Sequence, residues 1–422
     1  TVAPCQDWER VPWFDAVNHT RFSLHGVGYS SRYEGGRSRD LHGIESDDYL
    51  SAELLTGHAL MIDLPGLVRG AVRKYWLAQE FIESVALEDI ASVEFVGDEI
   101  HRLSIGWNSG ARVYVNRGSN DWIVAGHTLP PYGYLAKNGA IESSIERLGG
   151  VITEQSRGRQ GVYVNGRGFN PRAPLAIQPK AEGIEYTGGR NFRLLVNWQA
   201  DSPAPKDLSV FYHFNRPTPG RYTDTEFHGG GQPTPPTSHW SGHITTGRDW
   251  AVSIPEGMPL GEYEVLVGLY DAAGRAGRYR LLGDEDSARR YRIGTLVVEG
   301  TVANGKTNVT GVRLDKPQAK PVIATQLLAN RTPVRFDVAT TTGAFRVQRQ
   351  GQSLLLVPLP DGEDFEVSLS LEHLFDRSTR VRSLQAVDAK GTNLHPVPFK
   401  TATKSVQFTA RKEDFGYRLE VE

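Results

Sequence analysis

The sequence predicts a mainly β chain that opens with a short α/β segment and continues as a β-domain and two β-sandwiches. Three observations carry this. From about residue 91, short runs such as "SVEFVG", "ARVYVNRG", "NFRLLVNWQA" and "SLLLVPL" alternate apolar and polar positions, the period of half-buried strands. Before that point apolar residues recur at helical spacing instead. The 45 glycines and 24 prolines fall between the runs as punctuation and form no tract, as short strands joined by turns require.

The elements follow in order. "VPWFDAVN" (11–18) is predominantly apolar and reads as a buried strand that runs into the polar loop "HTRFSLHGVGYS". "ESDDYLSAELLTGHA" reads as a helix. Ser46 can cap it, Asp47 and Asp48 sit where a helix N-terminus favours negative charge, and Leu50, Leu54 and Leu55 form its buried stripe. "HALMIDL" is a continuous apolar run, expected to be a strand covered on both faces and stopped by Pro65-Gly66. "LVRGAVRKYWLAQEFIESVAL" is a second helix, with Val68, Val72, Trp76, Phe81 and Val85 as its apolar line. This strand–loop–helix–strand–helix order is that of a parallel sheet or barrel. It occupies residues 1–90. A small antiparallel β-domain is expected over 91–175, where Asn116-Arg117-Gly118 and Asn120-Asp121 read as a hairpin connection. An immunoglobulin-like sandwich is expected over 176–300. It is interrupted by "DTEFHGGGQPTPPTSHWSGHITTG", whose composition argues for a long irregular loop. A second sandwich is expected over 301–422.

Bulk properties narrow the function. Lys+Arg is 47 against 49 for Asp+Glu, so no basic excess argues for nucleic acid. No stretch approaches 18 consecutive apolar residues, so no membrane span is expected. The start, Thr1-Val2-Ala3-Pro4, lacks the charged and apolar regions of a signal peptide, which was either removed or never there. With one cysteine, Cys5, stability must come from the cores rather than from an internal disulfide. No phosphate-binding glycine loop, nucleophile elbow or zinc-protease motif occurs.

Several stretches resemble a known family. "VPWFDAVNH" with "TRFSLHG" resembles the penultimate barrel strand of large retaining α-glycosidases of the endo-α-N-acetylgalactosaminidase type, and "DDYLSAELLTGHALMIDL" resembles the helix and last strand that follow. "RVYVNRGSNDWIVAGHTLPPYGYLAKNG" resembles the β-domain packed after such barrels, and "WAVSIPEGMPLGEYEVLVGLYD" the accessory sandwiches of bacterial polysaccharide-active proteins. The resemblance implies the C-terminal part of a TIM-barrel glycoside hydrolase, with residues 1–90 as the last strand–helix units. It implies an oligo- or polysaccharide partner and a secreted, periplasmic or cell-surface location. A complete barrel takes about 250 residues. The resemblance therefore also implies that the catalytic carboxylates come from an N-terminal portion or a partner chain. A non-enzymatic glycan-binding or structural surface protein, or a subunit of an assembly, is the alternative.

The candidate site residues follow from this reading. His19, Arg21, His25 and Tyr29 lie in the loop after the expected strand, where barrel enzymes build their sites, and can hold hydroxyls and stack on sugar rings. The alternative is that they are ordinary loop residues. Asp63 would end the second strand on the same face, or else cap the next helix. Glu34 and Glu45 form a weaker carboxylate pair, with a solvated lid loop as the competing reading. Trp240, with Tyr222, is a candidate sugar platform in the loop that also holds His228, His239 and His243, with a plain long loop as the competing reading. Those histidines are too irregularly spaced for a metal site. No cofactor is expected, apart from a structural Ca²⁺ considered at the acidic turn Asp284-Glu285-Asp286.

Overall fold

The computed structural model describes residues 12–22, 43–62, 68–170, 173–216, 226–273, 277–283, 285–286, 288–303, 306–316, 327–375, 380–402 and 404–422. The chain is mainly β and divides into two compact units. One gathers residues 40–171 and 329–422 together with the N-terminal stretch, and the other spans 172–328. Among the described residues no helix is long and apolar enough to cross a membrane.

The first unit is organised by one twelve-stranded antiparallel sheet. Its first seven strands are Ile90–Phe95, Arg102–Trp107, Arg112–Asn116, Tyr134–Asn138, Ile141–Leu148, Val151–Gly158 and Gly161–Asn165. Ala344–Gln350, Ser353–Pro358, Gly416–Val421, Val381–Val387 and Asn393–Pro396 complete it. The join is the pairing of Val164 with Phe345. Residues expected to form two separate domains, 91–175 and 301–422, therefore share a sheet, and the second unit is inserted between neighbouring strands. Alternation along the chain marks strands but does not say which distant strand is the partner. A long insertion is tolerated because loop-closure entropy grows only logarithmically with length.

The two ends of the sheet bury different layers. The C-terminal half packs against a five-stranded sheet that includes Ala339–Thr341, Phe365–Ser370 and Ser405–Ala410. Phe345, Leu354, Leu356, Val367, Phe408 and Leu419 lie in the core between them. The N-terminal half packs against two helices, α2 (Asp47–Thr56) and α3 (Arg69–Val85). Leu50, Leu54, Leu77 and Phe81 meet Ile105, Val113 and Tyr134 there. Ser46 caps α2 as its position predicts, accepting from the Tyr49 N–H at 3.1 Å. Gly57 ends the helix at φ 71°. A Cβ there would stand 2.9 Å from the His19 ring, so both conformation and space call for glycine.

Two expected strands are corrected. Residues Trp13–Asn18 form a short helix, α1, with Ala16 N–H bonded to the Pro12 carbonyl and His19 N–H to that of Asp15. Pro12 stands just ahead of the first turn, where its missing N–H is not needed. An apolar run without alternation fits a helix as well as a strand. "HALMIDL" shows only an isolated bridge at Ala59 and is otherwise irregular through Ile62, with Asp63 to Gly66 outside the described residues. The hairpin expected at 116–121 also differs. Arg112–Asn116 pairs with Tyr134–Asn138, while Trp122–Val124 turns back on His127–Leu129. Asn116 shapes this excursion by accepting from Gly118 N–H and donating to the Asn120 and Leu129 carbonyls.

The second unit is a β-sandwich. Ile177–Gly188, Asn191–Ala200 and Gly242–Thr246 form one sheet, with Val252–Ser253 paired to Asn191–Ala200. Phe227–Gly231, Ser209–Asn215, Gly261–Tyr270, Tyr291–Ala303 and Lys306–Asp315 form the other. Between them lie Trp198, Tyr212, Phe214, Trp240, Val265 and Leu296. The segment expected to be one irregular loop supplies two strands, Phe227–Gly231 and Gly242–Thr246. Its glycines permit close packing: Gly231 lies against Trp250, whose Nε1 would be 2.8 Å from an added Cβ.

Candidate functional site

Among the described residues of the first unit, a groove of about 890 Å³ lies between α3, the turn after Ser353–Pro358 and the turn before Gly416–Val421. Its helical wall presents Val72, Tyr75 and Trp76, at the i, i+3, i+4 spacing of one helix face. The opposite wall carries Asp361 and Glu363 from one turn, Phe365 at the start of the strand Phe365–Ser370, and Lys412, Asp414 and Phe415 from the other turn. Tyr75 and Phe415 are 44% and 43% exposed, so two large aromatic faces are open to a ligand.

Each wall is held from behind. Arg69, the first residue of α3, donates to the carbonyls of Pro360 at 3.1 Å and Leu359 at 3.4 Å. Its own N–H reaches the Asp361 carboxylate at 3.4 Å. The 359–361 turn is thereby tied to the helix start. Phe365 stacks parallel to Phe345, with centroids 6.2 Å apart, and Gly343 lies so close that a Cβ would fall 2.0 Å from the Phe365 ring. In the second turn the Tyr417 hydroxyl accepts from Arg411 N–H at 2.6 Å and donates to Asp414 at 3.0 Å. Asp364 accepts from Lys412 N–H at 2.9 Å and links the two turns.

Beneath Trp76, whose ring lies 5.5 Å from that of Tyr163, is a buried charged network. Glu154 accepts from Arg73 at 3.0 Å, Arg167 at 2.8 Å, Tyr163 at 3.0 Å and Asn165 at 3.0 Å. Asp47 bridges the same two arginines at 2.6 and 2.9 Å. Burial by itself raises the Glu154 pKa, but the two guanidiniums and their hydrogen bonds outweigh it and hold the carboxyl well below its usual range. Two acids and two bases balance in charge, which is how buried ions are tolerated. Their joint effect is to fix α2 and α3 on the sheet.

Among the described residues, none of the site candidates singled out in the sequence lines this groove. His19 is buried, its Nδ1 2.8 Å from the Glu88 carbonyl and its ring 6.3 Å from Trp107. It joins the core, not a sugar site. Arg21 is exposed just past α1. Glu45 receives Lys74 Nζ at 2.7 Å, and the same buried ammonium donates to the Met61 carbonyl at 2.6 Å, so Glu45 serves as a counterion. Trp240 is fully buried, 5.4 Å from Trp198, and donates to the Pro235 carbonyl at 2.8 Å. It is a core residue, which excludes the stacking role expected of it. His25, Tyr29, Glu34, Asp63, Tyr222 and Asp284 lie outside the described residues. The neighbours of Asp284 are committed elsewhere, Glu285 to Arg280 at 3.0 Å and Asp286 to Arg290 at 2.7 Å.

A different histidine joins the N-terminal elements. His58 lies between Asp15 of α1 and Glu53 of α2, with Glu53 at 2.9 Å. Burial lowers its pKa, but the two carboxylates reverse this and push it up to about 9. Sequence reasoning missed this clamp and the groove alike. "LPDG" at 359–362 signals a turn without saying what the turn faces. No protein-family model and no curated protein sequence matches the chain.

Proposed function

We propose that the chain is a carbohydrate-active protein, secreted or displayed at a cell surface, whose groove holds a glycan. In this reading it is the glycan-holding portion of a glycoside hydrolase, with the cleaving carboxylates supplied by another portion or a partner chain. The observation that carries the reading is the groove. Exposed Tyr75 and Phe415 offer faces for sugar rings, while Asp361, Glu363, Lys412 and Asp414 offer hydroxyl partners. Three of those acids and neighbours, Asp361, Asp364 and Asp414, already accept hydrogen bonds from the fold. That favours pre-set binding groups over groups that exchange protons with a substrate.

The test is binding of the whole chain to an array of neutral, amino and acidic oligosaccharides, followed by calorimetry on the hits. Tyr75→Ala and Phe415→Ala should each weaken binding about tenfold, equivalent to roughly 1.4 kcal/mol, with little change in melting temperature. Unchanged affinity in both variants would refute the groove as the site. Binding without hydrolysis in the intact native protein would favour a glycan-binding surface protein over an enzyme.

A further inference from the structure

We infer that the groove takes an internal stretch of a glycan chain without acidic groups rather than a terminal sugar; this rests on the reading of the groove as a glycan site. A second pocket of about 200 Å³ adjoins the groove. The two share Leu359, Gly362, Glu363 and Phe365 as common wall. A site for a chain end needs a single closed pit, whereas here a second recess lies across the wall that residues 359–365 form, and a ligand that fills both must cross that wall.

The sizes suit a chain. Sites for drug-sized ligands run from about 300 to 1,000 Å³. At about 890 Å³ the groove lies near the upper end and has room for several rings. The pocket, at about 200 Å³, falls below that range and has room for about one more. The dividing turn is pinned by Arg69, which donates to the Leu359 and Pro360 carbonyls on one side and to that of Phe169, at 3.4 Å, on the other. Its guanidinium also lies 5.1 Å from the Phe169 ring centre. The wall between the two compartments is thus held by one fixed side chain, which also lines the smaller one, and their spacing is set before a ligand arrives. The far pocket adds Asn165, Asn330, Arg331 and Thr342, residue types that pair with hydroxyls.

Charge selects the class. Asp361, Glu363, Glu413 and Asp414 line the groove against only Arg411 and Lys412. The far pocket sets Glu363 and Asp364 against Arg69 and Arg331. The excess of acids therefore lies over the groove, where uronate or sulfated chains would meet repulsion.

The experiment measures calorimetric affinities of the whole chain for cello-, manno- and chito-oligosaccharides of two to six sugars, with oligogalacturonates as acidic probes. The inference expects at least one neutral series to gain tenfold or more between three and six sugars. Arg331→Ala should abolish that gain while leaving the trisaccharide affinity unchanged. Phe415→Ala should weaken short and long ligands alike. Equal affinities for three and six sugars, with Arg331→Ala silent, would overturn the inference and leave the groove reading standing. Failure of every series to bind would overturn both. Preference for oligogalacturonates would overturn the exclusion of acidic chains. If light scattering instead shows a self-association that Phe415→Ala abolishes, the groove holds a second copy of the chain and the inference is lost.

Discussion

Replacing Glu154 by Gln keeps the shape of a fully buried side chain and removes its charge. In the native protein the carboxylate receives Arg73, Arg167, Tyr163 and Asn165, all within 3.0 Å. After the change Asp47 alone faces two buried guanidiniums, and the network carries one uncompensated positive charge. Removing one partner of a buried ion pair costs about 3–5 kcal/mol. At roughly 2–4 °C per kcal/mol for a unit of about this size, the transition of the first unit should fall by about 6–20 °C. Differential scanning calorimetry separates this from the transition of the inserted sandwich, which should not move. Adding Arg73→Met removes the excess charge, so the double variant should recover part of the loss. A fall of less than about 1 kcal/mol for Glu154→Gln, the range of exposed pairs, would show that water reaches the network and refute the reasoning.

Three further outcomes follow from the same structure. The folded state raises the His58 pKa from 6.5 to about 9, so this clamp stabilises fully below about pH 6.5 and fades as pH rises through about 9. The shift corresponds to about 3 kcal/mol, and melting curves from pH 6 to pH 10 should lose this slope in His58→Gln. Trp240→Ala should destabilise the sandwich by about 3–5 kcal/mol in chemical denaturation, while oligosaccharide affinity stays within twofold. Gly343→Val should force Phe365 away from Phe345, costing about 1–3 kcal/mol and weakening oligosaccharide binding. A variant as stable and as tight-binding as the parent would show that the Phe365 wall yields freely.

Some parts of this protein are legible in the sequence alone. Ser46 ahead of two aspartates announces the cap of α2, and alternation in "NFRLLVNWQA" or "SLLLVPL" announces strands, because both depend on neighbours a few residues away. The mainly β class follows for the same reason. The α1 segment shows the limit of local reading: its apolar run lacks a period, and only the Ala16–Pro12 and His19–Asp15 hydrogen bonds decide for helix. His19, His25 and Tyr29 read as a site because they follow an expected strand, yet His19 is drawn into the core against Trp107 and Gly57. The groove could not be read at all. Trp76 belongs to a helix stripe with Tyr75 beside it, while Asp361, Phe365, Lys412 and Phe415 lie nearly 300 residues or more further along the chain. They meet only because strand Gly161–Asn165 finds Ala344–Gln350 across the inserted sandwich. Short-range chemistry, set by the order of residues, fixes caps, turns and the faces of strands. Which strand pairs with which, and so which side chains share a surface, is decided by burial summed over the whole unit.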